Sequence, residues 1–300
     1  RQARESRVGF VTERSGDSAL AVPAEERERE FEKRWSRGGL GFSAAYTDLL
    51  TSQEANDTAA DFFRAKIRAI VRDPAIADLL CPTSYPLGTK RLCVDTDYYR
   101  TFNRDNVTLV DVRTKPIEAI TAKGVRTGGV EYAVDDIVFA TGFDAMTGAL
   151  LNIDIRGRDG RRLASEWADG PRTYLGLTVE GFPNLFTITG PGSPSVLSNM
   201  IVSIEQHVDW IADCVTYLRE RGLATIEATA EAQEAWVRHV NEVGHMTLYP
   251  RAPSWYMGAN IPGKPRVFMP YIGGVGVYRQ KCDEIAANGY AGFTFGGVRS

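Results

Sequence analysis

The sequence has few of the residues that build metal centres and hydrolytic sites. Its three histidines form no His-Glu-x-x-His motif and no Ser-His-Asp pattern, and no group of clustered carboxylates occurs. The four cysteines show no Cys-x-x-Cys spacing, so neither a zinc site nor a disulfide framework is indicated. We therefore expect no metal, and any redox or group-transfer chemistry has to be supplied by an organic cofactor.

The sequence also has no strong excess of one charge and no long apolar run. Its net charge is −3, which gives no global field to attract nucleic acid or an anionic membrane. No apolar run approaches the roughly 18 residues needed to cross a bilayer, and no signal peptide opens the chain, so we expect a cytoplasmic protein. Residues 1–7 lack an initiator Met and are typical of the middle of a charged helix. We expect the sequence to begin partway through a longer protein.

The most informative segment is 136–144, where a short apolar run ends at Ala140-Thr141-Gly142. The pattern predicts a buried strand over 137–140. Glycine at such a strand end lets the backbone approach a ligand, as in nucleotide-binding α/β sheets, so Thr141 and Gly142 are candidate cofactor-binding residues. A nucleotide-binding motif, in which G-x-G-x-x-G follows a strand and opens a helix, should precede this segment. It is absent from the 300 residues. The chain is therefore interpreted as the later part of a larger nucleotide-dependent enzyme.

Apolar periodicity and breakers place the other elements. Helices are predicted over 24–37, 58–72, a short segment ending at 80, 200–220, 230–243 and 281–287. Strands are predicted over 107–112, 117–120, 125–127, 130–134 and 185–189, with Gly128-Gly129 as a hairpin turn. The helix over 200–220 should bury a face formed by Ile201, Ile204, Val208, Ile211, Val215 and Leu218.

Three loop features each have two interpretations from the residues alone. Lys90-Arg91 is either a solvated pair or an anion clamp, since guanidinium is permanently charged and suits a developing oxyanion. The loop from Gly190 to Ser195 is either a phosphate loop or a loop shaped to meet a flat ring or substrate. The match to a phosphate loop is weak, because the two prolines of this segment remove backbone donors. Trp255 either packs within its loop or closes over a cofactor. His207 is expected at the boundary of its helix and is not assigned to catalysis.

Six motifs, in this order along the chain, resemble the type I Baeyer–Villiger monooxygenases over nearly the whole length. They are Tyr85-Pro-Leu-Gly-Thr-Lys-Arg91, Asp97-Tyr-Tyr-Arg-Thr-Phe-Asn-Arg-Asp-Asn-Val107, Ile137-Val-Phe-Ala-Thr-Gly-Phe-Asp144, Gly190-Pro-Gly-Ser-Pro-Ser-Val-Leu-Ser-Asn-Met200, Ser203-Ile-Glu-Gln-His207 and Ser254-Trp-Tyr-Met-Gly-Ala-Asn-Ile-Pro-Gly-Lys264. The resemblance implies an FAD- and NADPH-dependent enzyme that inserts one atom of O2 beside a ketone carbonyl through a C4a-peroxyflavin. The product would be an ester or a lactone.

The resemblance also implies roles for individual residues. Arg91 would be the catalytic arginine, stabilising the peroxyflavin and the adduct oxyanion and contacting the nicotinamide, while Lys90 would meet the NADP phosphate. Trp255 would contact NADP. The substrate pocket would be lined by the loop beside the flavin, which contains Ser195, Val196, Leu197 and Met200, and Met200 would also contact the cofactor.

The resemblance implies an α/β fold, namely an incomplete two-dinucleotide-binding-domain flavoprotein with a helical insertion and a β-meander. Residues 1–84 would form a helical subdomain of the NADP domain, 85–141 the end of that domain, and 142–300 the second half of the FAD domain. The missing amino-terminal half would be needed for function. The alternatives are a related flavin-dependent N- or S-monooxygenase, against which the 258–264 loop argues, and a catalytically silent truncated chain.

Overall fold

The computed structural model describes residues 2–11, 13 and 15–298, with the side chains of residues 40 and 298 left out of the description. The α-helices are α1 Gln2–Glu5, α2 Ala24–Arg37, α3 Gln53–Ile70, α4 Pro74–Leu80, α5 Tyr98–Thr101, α6 Gly148–Leu151, α7 Leu163–Glu166, α8 Met200–Glu220, α9 Ala230–His245 and α10 Val275–Ala287. The strands are β1 Ile117–Ile120, β2 Gly124–Thr127, β3 Val130–Ala133, β4 Leu223–Ala228 and β5 Phe293–Val298.

The chain forms two compact units. The large unit comprises Arg1–Ser15, Leu50–Ser52 and Asp144–Ser300, and the small unit comprises Gly16–Leu49 and Gln53–Phe143. Each has its own hydrophobic core. Within the described residues, no helix combines the length and the apolar character that a membrane span requires.

The small unit is built on aromatic residues that α2, α3 and the 3-10 segment Gly39–Ala44 bring together. Phe31 stacks on Phe42 at 5.2 Å between ring centroids, and Phe42 meets Phe63 edge-on at 4.7 Å. Such geometries favour aromatic pairs beyond the apolar area that they bury. Helix α4 begins with Pro74 after Asp73, whose carboxylate accepts from the amides of Ala75 and Ile76 and so caps the helix.

The predicted β-meander is confirmed. Strands β1, β2 and β3 form an antiparallel sheet in that order. Gly128 and Gly129 both have positive φ, 56° and 76°, as a two-residue turn between antiparallel strands requires. Local turn chemistry was therefore sufficient to place this hairpin.

Three predicted strands are wrong, because segments 107–112, 137–140 and 185–189 carry no regular β-structure. In the 137–140 segment, Val138 is 87% exposed and Phe139 is 70% exposed. A strand becomes regular only when a neighbouring strand satisfies its backbone groups, and no described strand pairs with this segment. The ladders formed by the described residues are antiparallel.

In the large unit, α8, α9 and α10 pack with the antiparallel pair β4 and β5 around an aromatic core that contains Trp210, Trp236 and Tyr278. Helix α8 has the predicted bounds, and Asn199 caps it by accepting from the amide of Ile201 at 3.1 Å. The predicted buried face is wrong for most of its length.

The buried residues of α8 are Ser203, Gln206, His207, Trp210, Cys214 and Leu218. Ile201, Val208 and Val215, seven residues apart, are 65%, 45% and 39% exposed. The tertiary core thus selects the face that carries Trp210, and it leaves an apolar stripe of β-branched residues on the other face.

Candidate cofactor and substrate site

The residues predicted to form the site fall into two groups, one in each unit. The small unit carries Lys90, Arg91, Thr141 and Gly142, and the large unit carries Ser195, Val196, Leu197, Met200 and Trp255.

The segment leading to Lys90 and Arg91 is a tight turn in the small unit. Gly88 has φ 81°, a left-handed conformation that glycine adopts without strain. The buried Thr89 hydroxyl donates to the carbonyl of Pro86 at 2.6 Å, and its amide donates to the same oxygen at 3.2 Å. The turn therefore delivers the two cations from a fixed backbone.

A residue that the sequence reasoning missed holds this turn in place. Asn56, on α3 and 1% exposed, donates to the carbonyls of Leu49 and Leu87 at 2.7 and 2.8 Å. Its amide oxygen accepts from the amide of Leu87 at 2.8 Å. The signal in the sequence was a polar amide among Ala55, Ala59 and Ala60, small residues on the buried face of a helix. A buried polar side chain in that position has to satisfy its hydrogen bonds.

Lys90 and Arg91 differ in their surroundings. The Lys90 ammonium lies 4.4 Å from the centre of the Tyr85 ring, within the range of a cation–π contact. Burial raises the pKa of the Tyr85 phenol, so this ring stays neutral beneath the charge. Arg91 is exposed. Adjacent cations on an anchored turn can bind the phosphate of a nucleotide or stabilise an oxyanion.

Thr141 and Gly142 are exposed, and Gly142 has φ 83°. A Cβ added at Gly142 would meet no atom within 4 Å, so the positive φ is the feature that favours glycine here. Their assignment to cofactor binding stays a prediction.

In the large unit, the loop before α8 is pinned at several backbone atoms. The amide of Gly192 donates to the carbonyl of Met269 at 2.7 Å, and the Trp236 indole donates to the carbonyl of Gly192 at 3.0 Å. The Thr173 hydroxyl donates to the carbonyl of Pro191 at 2.7 Å. Since these partners lie on distant parts of the chain, the loop is held in one conformation by the fold around it.

The structure brings three of the predicted residues of this unit together. Val196 and Leu197, in the 3-10 segment Ser195–Leu197, pack in one apolar cluster with Trp255. The Trp255 ring lies 4.3 Å from that of the buried Tyr256. Ser195 is 1% exposed with φ 38°, so its side chain faces the interior, and Met200 begins α8 at 39% exposure. Loop packing and ligand contact are thus compatible for Trp255.

His207 lies deeper than the predicted boundary position, with no exposed surface. Its Nδ1 accepts from the amide of Thr189 at 2.9 Å. Burial lowers the pKa of His207 to about 4, so the ring is neutral near pH 7 and serves the structure of the unit. Among the described residues, no three His, Cys, Asp or Glu side chains are grouped so as to hold a metal ion.

Comparison with known proteins gives a consistent picture, although no family model matches the chain. It is 44% identical over 293 residues to a Baeyer–Villiger monooxygenase from Pseudooceanicola batsensis. This alignment covers 96% of this chain and 53% of the relative. It is 43% identical over 293 residues to the phenazine N-monooxygenase PhzNO1 of Lysobacter antibioticus, covering 97% of this chain and 53% of the relative.

Solved structures agree. A steroid monooxygenase bound to NADP superposes with a TM-score of 0.91 at 52% identity, over 98% of this chain and 55% of that one. The OTEMO complex with FAD and NADP gives a TM-score of 0.94 at 37% identity, over 98% of this chain and 55% of that one. The fold is therefore that of an α/β flavoprotein. Over nearly its whole length the chain is similar to Baeyer–Villiger monooxygenases, and it spans about half the length of the relatives that it matches.

Proposed function

We propose that this chain is the carboxyl-terminal part of an FAD- and NADPH-dependent Baeyer–Villiger monooxygenase. The enzyme would insert one atom of O2 next to the carbonyl of a small ketone and release an ester or a lactone. The observation that carries the proposal is the single apolar cluster in which Val196 and Leu197 pack with Trp255, because it joins the predicted substrate loop to the predicted NADP loop. The expected location is the cytoplasm.

The residues present fit part of each cofactor. Lys90 and Arg91 on their anchored turn suit the phosphate and nicotinamide of NADP, and the pinned loop before Met200 suits the edge of a flavin ring. The sequence has no glycine fingerprint for a pyrophosphate, so that contact has to come from another segment. When bound, FAD and NADPH would supply hydride transfer and oxygen activation. Assignment of 1–84 and 85–141 to the NADP domain and of 142–300 to the FAD domain belongs to the same proposal.

Arg91 would stabilise negative charge on the oxygen of the substrate carbonyl as it is attacked. A guanidinium stays charged at every working pH, so its contribution needs no proton transfer. Removing a preorganised donor to an oxyanion costs about 10²- to 10³-fold in rate. Lys90 would bind the NADP phosphate as a point charge, oriented by its contact with Tyr85.

The exposed apolar residues support the requirement for the missing half. Ile201, Val208 and Val215 form a stripe along α8 in the large unit, and Val138 and Phe139 are exposed in the small unit. Apolar stripes of this kind are covered in stable proteins. The relatives are about twice as long as this chain, so a further segment that covers these surfaces is part of the proposal.

The proposal is tested by fusing residues 1–300 behind the amino-terminal half of the Pseudooceanicola batsensis relative. We expect the fusion to bind flavin, to consume NADPH when cyclohexanone or phenylacetone is added, and to form the lactone or ester. The 300-residue chain alone should purify without flavin. A fusion that binds flavin and oxidises NADPH but forms no oxygenated product would refute the proposal and favour the catalytically silent alternative.

Arg91→Ala in the fusion should leave flavin reduction by NADPH measurable and should lower ester formation by about 10²-fold or more. Arg104→Ala, which changes another exposed arginine of the small unit, is the matched control and should retain ester formation. Normal ester formation by Arg91→Ala would remove Arg91 from the mechanism.

A second candidate function is oxygenation of a ring nitrogen, favoured by the similarity to a phenazine N-monooxygenase over 97% of this chain. The prediction that the 258–264 loop argues against nitrogen substrates is weakened by that similarity. Incubating the fusion with phenazine and with a ketone in parallel distinguishes the two, since an N-oxide and an ester have different masses and retention times.

A further inference from the structure

A nearly buried lysine of the large unit has no role in the function proposed above. Lys264 ends the Gly-Ala-Asn-Ile-Pro-Gly-Lys segment, and its side chain is only 10% exposed. The ammonium donates to the carboxylate of Asp144 and to the carbonyl of Ala145, the latter at 2.9 Å. Lys264 and Asp144 are 120 residues apart in the chain, so this contact exists only in the folded protein.

Both partners of the ion pair are held by their own surroundings. The carbonyl of Asp144 accepts from the amide of Gly148 at 3.2 Å, and a Cβ added at Gly148 would lie 2.6 Å from the Asp144 Cγ. Gly148 is thus required where the carboxylate packs against the start of α6. Asp144 is also the residue at which the chain returns from the small unit to the large unit.

On the other side, the loop that carries Lys264 closes on itself. Gly258 has φ 68°, and a Cβ added there would lie 2.7 Å from the carbonyl oxygen of Pro265 and 3.2 Å from the Lys264 Cγ. The amide of Ala259 donates to the carbonyl of Ser254 at 3.0 Å. The two ends of the 258–265 loop therefore meet, and the aliphatic part of the Lys264 side chain lies next to Gly258.

The segment that precedes the loop has an independent anchor. Tyr256 is buried, and its carbonyl accepts from the amide of Met269 at 2.9 Å. The end of the loop is held by the charge-assisted contact of Lys264, which is stronger than a neutral hydrogen bond and which leaves an uncompensated charge when one partner is removed. The ion pair of Lys264 and Asp144 thus ties the end of the 258–264 segment to a residue 120 positions away in the chain.

We propose that Lys264 is a positioning residue that fixes the loop following Trp255 to Asp144, where the chain returns to the large unit, and so holds Trp255 ready for NADP. The part concerning NADP rests on the proposed function, whereas the anchoring of the loop does not. An ordered loop binds its ligand without the entropic cost of ordering it. Loss of the anchor should therefore weaken NADPH binding more than it slows the reaction of bound NADPH.

The anchoring is tested on the 300-residue chain by amide hydrogen exchange. In Lys264→Met, the amides of Gly258, Ala259, Ile261 and Lys264, which donate to backbone carbonyls, should exchange at least about tenfold faster, since a charge-assisted hydrogen bond is lost. Asp144→Asn should act in the same direction, and Lys264→Arg should restore most of the protection. Lys123→Met, at an exposed turn between β1 and β2, is the control and should leave the loop unchanged.

Asp144 is 44% exposed, so Asp144→Asn leaves the core intact even if Lys264→Met perturbs the whole unit. Unchanged exchange of the loop in Asp144→Asn, or in a folded Lys264→Met, overturns the anchoring. In the active fusion, we expect the KM for NADPH to rise by about tenfold or more in Lys264→Met with a smaller change in kcat. Faster loop exchange with an unchanged KM for NADPH would support the anchoring of the loop and refute its role in NADP binding. Failure of the fusion to oxygenate a ketone would count against the proposed function alone.

Discussion

Asn56→Ala is expected to release the turn that presents Lys90 and Arg91. The substitution removes three hydrogen bonds of 2.7 to 2.8 Å and leaves the backbone groups of Leu49 and Leu87 without partners. An unsatisfied buried polar group costs about 1–3 kcal/mol. With three such groups affected, we expect the free energy that stabilises the closed turn to fall by about 3 kcal/mol or more.

This magnitude can be measured at one amide. Each 1.36 kcal/mol corresponds to a factor of ten, so about 3 kcal/mol predicts that the Leu87 amide exchanges at least about 100-fold faster. Leu87 is 7% exposed and its amide donates to Asn56, so we expect this amide to exchange slowly in the unaltered chain. In the active fusion, the same variant should raise the KM for NADPH, because the two cations are no longer held.

Asn103→Ala is a matched control in the same unit. Asn103 makes the same kind of backbone bonds, accepting from the amide of Arg72 and donating to the carbonyl of Ile70, both at 2.8 Å. Its removal should loosen the end of α3 without affecting Leu87. If Leu87 exchanges equally fast in Asn56→Ala and Asn103→Ala, the assignment of Asn56 to the Lys90–Arg91 turn is refuted.

Two further predictions concern the large unit. Because burial lowers the pKa of His207 from 6.5 to about 4, its unfolded state binds more protons between these values, and stability should fall by about 3 kcal/mol as pH decreases from 6.5 to 4. His207→Gln can still accept from the amide of Thr189, and its free energy of unfolding in urea should depend less on pH in this range. An unchanged pH dependence would contradict the assignment of this titration to His207. Gly176→Ala should destabilise the unit by about 3 kcal/mol, since a Cβ there would lie 2.4 Å from the amide nitrogen of Ser193. Gly222→Ala has a similar φ with no atom within 4 Å and should cost only about 1 kcal/mol, so equal losses in chemical denaturation would argue against the steric cause.

The features that depend on neighbouring residues could be read from the sequence. Helix α8 has the predicted bounds because Asn199 caps its first turn and Gly222, with φ 64°, follows its end. The Gly128-Gly129 turn placed the β2–β3 hairpin for the same local reason. The ordered motifs likewise sufficed to identify the family, since they are contiguous stretches of chain.

The features that depend on distant partners could not be read in this way. The apolar spacing of α8 favoured Ile201 and Val208 as core residues, but the face with Trp210 is buried because the Trp210 indole donates to the carbonyl of Cys282 within the aromatic core. Segment 137–140 has the composition of a buried strand and lacks a described strand to pair with it. In both cases the local sequence pattern was compatible with either burial or exposure of the apolar side chains.

The sequence by itself therefore determined the order of the main helices, the bounds of α2 and α8, the β-meander and the motifs that define the family. Only the tertiary structure decided how the candidate site is held, through Asn56 on Leu87, 31 residues apart, and through Lys264 on Asp144, 120 residues apart. The physical reason is the range of the interactions. Caps and turns are satisfied within a few residues, whereas a buried amide or ammonium needs partners that only the folded chain brings within hydrogen-bonding distance.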